Sequence, residues 1–163
     1  MGYTETGRGN AAAGTRPTGG RRIVVGVDGS PASRRALAWA VEEAWATGGE
    51  VEAVTCWLYP VMYGAAMARP DVRAEKAAAG RTLARTVAEV VGARPAVPVR
   101  RRLLLGNTQE ELTGRSRGAA LLVLGAARRR RVFGPRIGPT AEHCMKHAGC
   151  RVVVVPEAGE RSV

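Results

Sequence analysis

Lysine, aspartate and aromatic side chains are scarce in this 163-residue chain, and each scarcity excludes something. Aspartate occurs only as Asp28 and Asp71, so no second aspartate stands beside Asp28 as a catalytic partner. There is also no Walker A sequence and no nucleophile elbow. No catalytic set can be assembled, and the chain is not expected to be an enzyme. Aromatics make up 4% of the residues, so the core must be built from Val, Leu, Ile and Ala. Cysteine is limited to Cys56, Cys144 and Cys150, an odd number set in apolar stretches. That usage suits buried thiols in a reducing compartment better than a disulfide framework. No apolar run resembles a signal peptide, and none approaches the roughly 18 residues of a membrane helix. A soluble, cytoplasmic protein with no membrane partner is expected.

What the chain does have is arginine. Lysine occurs only as Lys76 and Lys146, so 23 of the 25 basic residues are Arg and the net charge is +11. Such a bias suits a GC-rich genome as well as a surface that attracts phosphates, and composition does not separate the two. Neither interleaved aromatics nor a recognition motif accompanies the charge, so nucleic acid is not the expected partner. The length fits one domain.

Hydrophobic patterning divides the chain into alternating elements. Residues 1–20 carry no hydrophobic period and are expected to be a disordered tail. The ordered domain is expected over 21–157, with a C-terminal tail at 158–163. Ile23 to Val27 is a short continuous apolar run, the mark of a strand buried on both faces. Ser30 can cap a following helix with Pro31 at its first position. Leu37, Ala40, Val41, Ala44 and Trp45 continue at helical spacing until Gly48-Gly49. Val51–Trp57 reads as a second strand and Val72–Val91 as a long helix with Lys76, Leu83, Val87 and Val90 along one side. Val97–Leu105 is a third strand. Thr108 to Glu111 reads as a capping box opening a short helix. Ala119–Leu124, Pro139–Ala148 and Arg151–Val155 complete the series as strand, helix and strand. Strict alternation with mostly apolar strands implies an α/β fold, a parallel sheet with helices on both faces. Ligands in such sheets bind at the carboxyl ends of the strands, which here points to Asp28, Gly106 and Gly125.

Those turns also carry a family resemblance. Val24-Val25-Gly26-Val27-Asp28-Gly29-Ser30 resembles the first strand and turn of the universal stress protein family. His147-Ala148-Gly149-Cys150 and Arg151 to Pro156 resemble its last helix end and strand. Gly106 and Leu121-Leu122-Val123-Leu124-Gly125 stand where that family has a glycine and the strand entering its phosphate loop. The resemblance covers about Arg21 to Pro156. It implies a five-stranded parallel sheet of Rossmann-like, adenine nucleotide alpha hydrolase-like type. It also implies an adenine nucleotide, ATP or another, with Mg2+ as a companion.

The nucleotide-binding residues that the resemblance implies are Val27, Asp28, Cys56, Gly125, Arg128, Gly138, Pro139 and Thr140, with Asp28 facing ribose or a phosphate-bound metal. ATP-binding members are similar in carrying G-x2-G-x9-G-[ST]. Here Gly125 and Gly138 keep the outer spacing, while Arg128 replaces the middle glycine and Pro139 the hydroxyl residue. Arg brings a Cβ where backbone should approach a phosphate, and Pro removes an N–H. Arg128 to Arg131 offer guanidinium groups that substitute in part, or form a solvated loop. His143, His147 and Cys150 have metal-ligand spacing, but such helical pairs are common by chance, and no metal site is expected. The chain is thus expected to be a binding or regulatory stress-response protein with a partly degraded nucleotide pocket. The rivals are a slow ATP hydrolase and a stress protein that acts by protein or nucleic-acid interaction without nucleotide. A homodimer is expected through Val152, Val153, Val154 and Val155, which the resemblance places at a sheet edge.

Overall fold

The computed structural model describes residues 21–59, 71–93, 95–126 and 137–156. The expected tails at 1–20 and 158–163, and the arginines 128–131, lie outside them. Elements alternate along the chain: β1 (Arg22–Gly26), α1 (Pro31–Thr47), β2 (Glu50–Trp57), α2 (Val72–Val91) and β3 (Val99–Leu105). Then come α3 (Thr108–Ser116), β4 (Leu121–Gly125), α4 (Pro139–His147) and β5 (Arg151–Val155). The five strands form one sheet in the order β3-β2-β1-β4-β5, and every pairing is parallel. The chain adds strands to one side of β1 and then returns to the other, so the order reverses between β1 and β4.

Successive residues of the inner strands feed two separate cores, as strands covered on both faces must. Ile23, Val25, Val51, Ala53 and Val123 pack with Leu37 and Ala40 of α1 and Leu83 of α2. Val24, Val54, Leu122 and Leu124 pack with Leu112 of α3 and with Ala141 and Cys144 of α4. Helices therefore lie in pairs on the two faces.

The bounds of α2 and β5 match the sequence pattern. β3 begins later than expected, at Val99 rather than Val97, because Pro98 has no N–H to give the ladder; its carbonyl still accepts from Val51 N at 2.9 Å. β1 and β4 both end in a glycine, Gly26 and Gly125, and Ala119 and Ala120 belong to the turn before β4. The capping box is corrected by one residue. Asn107, not Thr108, caps α3, its Oδ1 accepting from Gln109 N and Glu110 N at 2.9 and 3.4 Å. Asn is at least as good a cap as Thr, and the shift makes Thr108 the first helical residue.

The core stripe expected on α1 holds for Leu37, Ala40 and Ala44, whereas Trp45 is 68% exposed. The buried face of α1 is instead an alanine row, Ala32, Ala36, Ala40 and Ala44, joined by Ser33 and Leu37. A row that small lets the helix lie close to the sheet, and the one indole of α1 that packs against this core, Trp39, is only partly buried. The approach is tightest at Gly125. A Cβ there would stand 2.5 Å from the Ala32 carbonyl carbon and 2.7 Å from its oxygen. On α2, Leu83 and Thr86 are buried and Lys76, expected on the same side, is exposed.

Gly125→Ala should therefore force backbone against backbone and cost about 1–3 kcal/mol. Urea unfolding of the variant, beside the wild type, measures it; an unchanged midpoint would show that α1 can withdraw freely from β4.

Candidate functional site

The reversal of strand order opens a cleft beyond the carboxyl ends of β1, β2 and β4. A cavity of about 740 Å³ lies there, within the usual size of small-molecule sites. Gly26, Val27 and Asp28 enter it at and just beyond the end of β1, Val54, Thr55 and Cys56 from β2, and Leu124, Gly125 and Ala126 at and just beyond the end of β4. Three helices open toward it: α1 through Ser30 to Ser33, α3 through Thr108, and α4 through Gly138 to Ala141. Ala79 and Thr82 of α2 form a side wall.

Seven of the eight residues expected at a nucleotide site thus line one cavity: Val27, Asp28, Cys56, Gly125, Gly138, Pro139 and Thr140. Arg128 lies outside the described residues. Gly106, also singled out after β3, is not among the lining residues. A side chain at Gly106 would stand 2.6 Å from Glu111 Oε1, so this glycine makes room for α3.

Sequence reasoning missed Thr55, Thr82 and Thr108. Thr55 Oγ1 donates to Val27 O at 2.7 Å and ties the ends of β1 and β2 together. Thr82 could not be placed from spacing alone, because nothing in the helical period of α2 says that its outer turns lean over the first β-turn. That turn does carry a signal: Gly29 has φ +80°, and a Cβ on it would meet the Thr82 methyl at 2.7 Å.

Asp28 Oδ1 accepts from Ser30 N at 2.9 Å, and the Asp28 N–H donates to Ser33 Oγ at 3.4 Å. This is an Asx turn placed just ahead of the helix cap, and the cap itself is Ser30, whose Oγ accepts from Ser33 N at 3.1 Å. Partial burial works against the Asp28 charge, but hydrogen bonds from Ser30, through hydroxyl and amide, and from Ser33 outweigh it and hold its pKa below the ordinary aspartate value. Asp28 therefore stays ionised through neutral pH. It is the only charged side chain among the described residues that line the cavity.

The three helix starts are not equivalent. Ser30 caps α1 and Asn107 caps α3, so several of their first N–H groups already have partners. α4 has Gly138 at its cap position with no side-chain hydrogen bond and Pro139 next. Among the described residues, nothing accepts from the N–H groups of Thr140 and Ala141, whereas Glu142 N reaches Gly138 O at 2.9 Å. Open N–H groups at a helix start are donors for an anion.

Sequence comparison adds the family. The model of the universal stress protein family matches residues 20–156. The chain belongs to that family. Solved universal stress proteins share its fold. UspA from Lactobacillus plantarum is 22% identical with a TM-score of 0.66, covering 83% of this chain and 97% of its own. A family protein from Burkholderia pseudomallei is 26% identical with a TM-score of 0.64, covering 83% and 96%. A universal stress protein from Arabidopsis thaliana, solved with AMP bound, is 18% identical with a TM-score of 0.58, covering 88% and 95%. Another, solved in complex with cAMP, is 18% identical with a TM-score of 0.55, covering 85% and 98%. Among curated proteins, none matches.

The thiols of this universal stress protein are all free. Burial and the nearby Glu111 carboxylate push the Cys56 pKa up to about 11. The His143 and His147 rings stack with centroids 4.5 Å apart, and the described residues contain no group of three metal-ligating side chains. No helix among them is long and apolar enough to cross a membrane.

Cys56 should react with iodoacetamide about 100-fold more slowly at neutral pH than a model thiol, rising only toward alkaline pH, since the thiolate is the nucleophile. Mass spectrometry of the Cys56 peptide tests this. Rapid labelling of the folded protein at neutral pH would show the thiol to be activated.

Proposed function

We propose that this universal stress protein binds an adenine nucleotide at the β1/β4 crevice and acts by binding rather than turnover. The observation that carries the reading is the convergence of an ionised Asp28 and the open start of α4 on one cavity. A carboxylate suits the hydroxyls of a ribose, and the Thr140 and Ala141 N–H groups suit a phosphate. That universal stress proteins of this fold are solved with AMP and with cAMP supports the ligand class. Magnesium, if it accompanies the nucleotide, has Asp28 as the carboxylate ligand and phosphate oxygens for the rest. Binding suits Asp28 better than proton transfer, because its carboxylate is already engaged and held in the charged form.

Pro139 limits the phosphate end, since it withholds one of the donors that a helix start would supply. Calorimetry should accordingly find ATP binding little tighter than AMP. Pro139→Ser should favour ATP by restoring an N–H and a hydroxyl. Asp28→Asn keeps an oxygen for the Ser30 N–H but loses the charge, and should weaken any of these nucleotides about tenfold. Unchanged affinity in Asp28→Asn, or no heat with any adenine nucleotide, would sink the reading.

We also infer a homodimer through β5. It is an edge strand, Val152 to Val155 carries no charge, and only Pro156 follows as a guard. Val155 O accepts from Ala126 N at 2.8 Å. Alternation along β5 then turns the backbone groups of Arg151, Val153 and Val155 toward β4 and those of Val152 and Val154 outward. Val154→Pro should thus remove an outward donor, spare the ladder to β4 and halve the mass seen by light scattering. A wild type that is monomeric at high micromolar concentration overturns the dimer.

A further inference from the structure

The opposite edge of the sheet is built differently, and the nucleotide site does not account for it. β3 runs Val99-Arg100-Arg101-Arg102-Leu103-Leu104-Leu105 and pairs only with β2 among the described residues. Pro98 O accepts from Val51 N, and Gly106 N donates to Trp57 O. Even-numbered residues of β3 therefore direct their backbone groups to β2, and Val99, Arg101, Leu103 and Leu105 turn theirs to the free edge.

The charge on this edge exceeds what the described residues neutralise. Arg100 meets Glu50 at 3.3 Å, but among the described residues the side chains of Arg101 and Arg102 have no ion pair or hydrogen bond, and Arg102 Nε is buried without a partner. The acid beside them on β2, Glu52, is taken by Arg22 and Arg115 at 3.4 and 3.3 Å. Toward its carboxyl end the edge becomes apolar: Leu105 is exposed, as are Leu58 and Tyr59, which follow β2 at the same end. β3 contains no acid, so pairing with its own copy in either direction sets arginine against arginine or leucine. Two like charges set opposite each other in a sheet destabilise it.

We propose that the outer edge of β3 is a docking edge for an extended segment of another protein, acidic where it faces Arg100 to Arg102 and apolar where it faces Leu103 to Leu105. Main-chain hydrogen bonds to the outward groups supply the pairing, and the arginine half selects the partner's charge. The net charge of +11 draws an acidic partner toward the surface.

The probe is a capped peptide with a glutamate block joined to a valine block, made in both orders and titrated into the full chain. In one order or the other it should bind, more weakly as salt rises, and slow hydrogen exchange at the Arg101 and Leu103 amides in NMR spectra. Replacing its glutamates by glutamine should cost about tenfold. Arg101→Pro should lose more affinity than Arg101→Ala, because only proline removes the outward donor, and circular dichroism shows whether each is folded. The double change R101E/R102E should abolish binding. The proposal fails if neither peptide binds, leaving the arginines as guards of the edge, or if the glutamine peptide binds equally well. It also fails if a DNA oligonucleotide takes the edge in preference, or if the same amides become protected by self-association without peptide.

Discussion

The close contact between the alanine face of α1 and the end of β4 is the constraint on which the site depends. Ala32 is buried against Gly125 so tightly that neither position tolerates a larger neighbour. Because α1 lies this low on the sheet, its first turn crosses the point where strand order reverses. Ser30 and Ser33 then reach back to Asp28, and the carboxylate is fixed as well as charged. Gly125, which the family motif presents as part of a phosphate loop, thus also has a packing duty that any ligand-free member with this geometry would share. A more typical helix face of Leu and Ile would lift α1, and the pocket floor would rise with it.

The pocket is asymmetric in its polar chemistry. Its β1 side offers an acceptor that is negative and preorganised, while its α4 side offers donors that no side chain has capped. Capping and ligand binding compete for the same N–H groups, so the ends of α1 and α3 have settled that competition in favour of stability and the end of α4 has not. Pro139 marks the boundary: it fits the first helical position and favours the helix, yet it supplies no donor. Stability of the helix start and the number of N–H groups open to the cavity are here set against each other by a single residue.

Much of this was legible in the sequence because β1 and β4 are continuous apolar runs and α1 and α2 end in glycine. The bounds of α2 and β5 and the Ser30 cap follow from such local signals, whereas the seven pocket residues came from the family resemblance of the turns that carry them. What escaped depends on distances between elements. Trp45 has helical spacing, yet the nearness of the sheet favours alanine and turns the indole outward. Thr108 looks like a cap until Asn107, one residue earlier, competes for the same donors. Thr82 and Ala79 join the site only because α2 leans over the Gly29 turn, and no periodicity within α2 encodes that lean. The third strand was legible despite its three arginines in a row, which are tolerated because β3 lies at the edge of the sheet.

The two borders of the sheet are opposite in character, one a row of valines, the other a row of arginines. Growth by strand addition needs a border that accepts another of its kind. Two copies joined valine to valine would present arginine at both ends, and a third copy would meet only like charge or a mismatched strand. If two copies join through β5 as proposed, the sheet would terminate itself there, a particle of fixed size in place of the seed of a fibre.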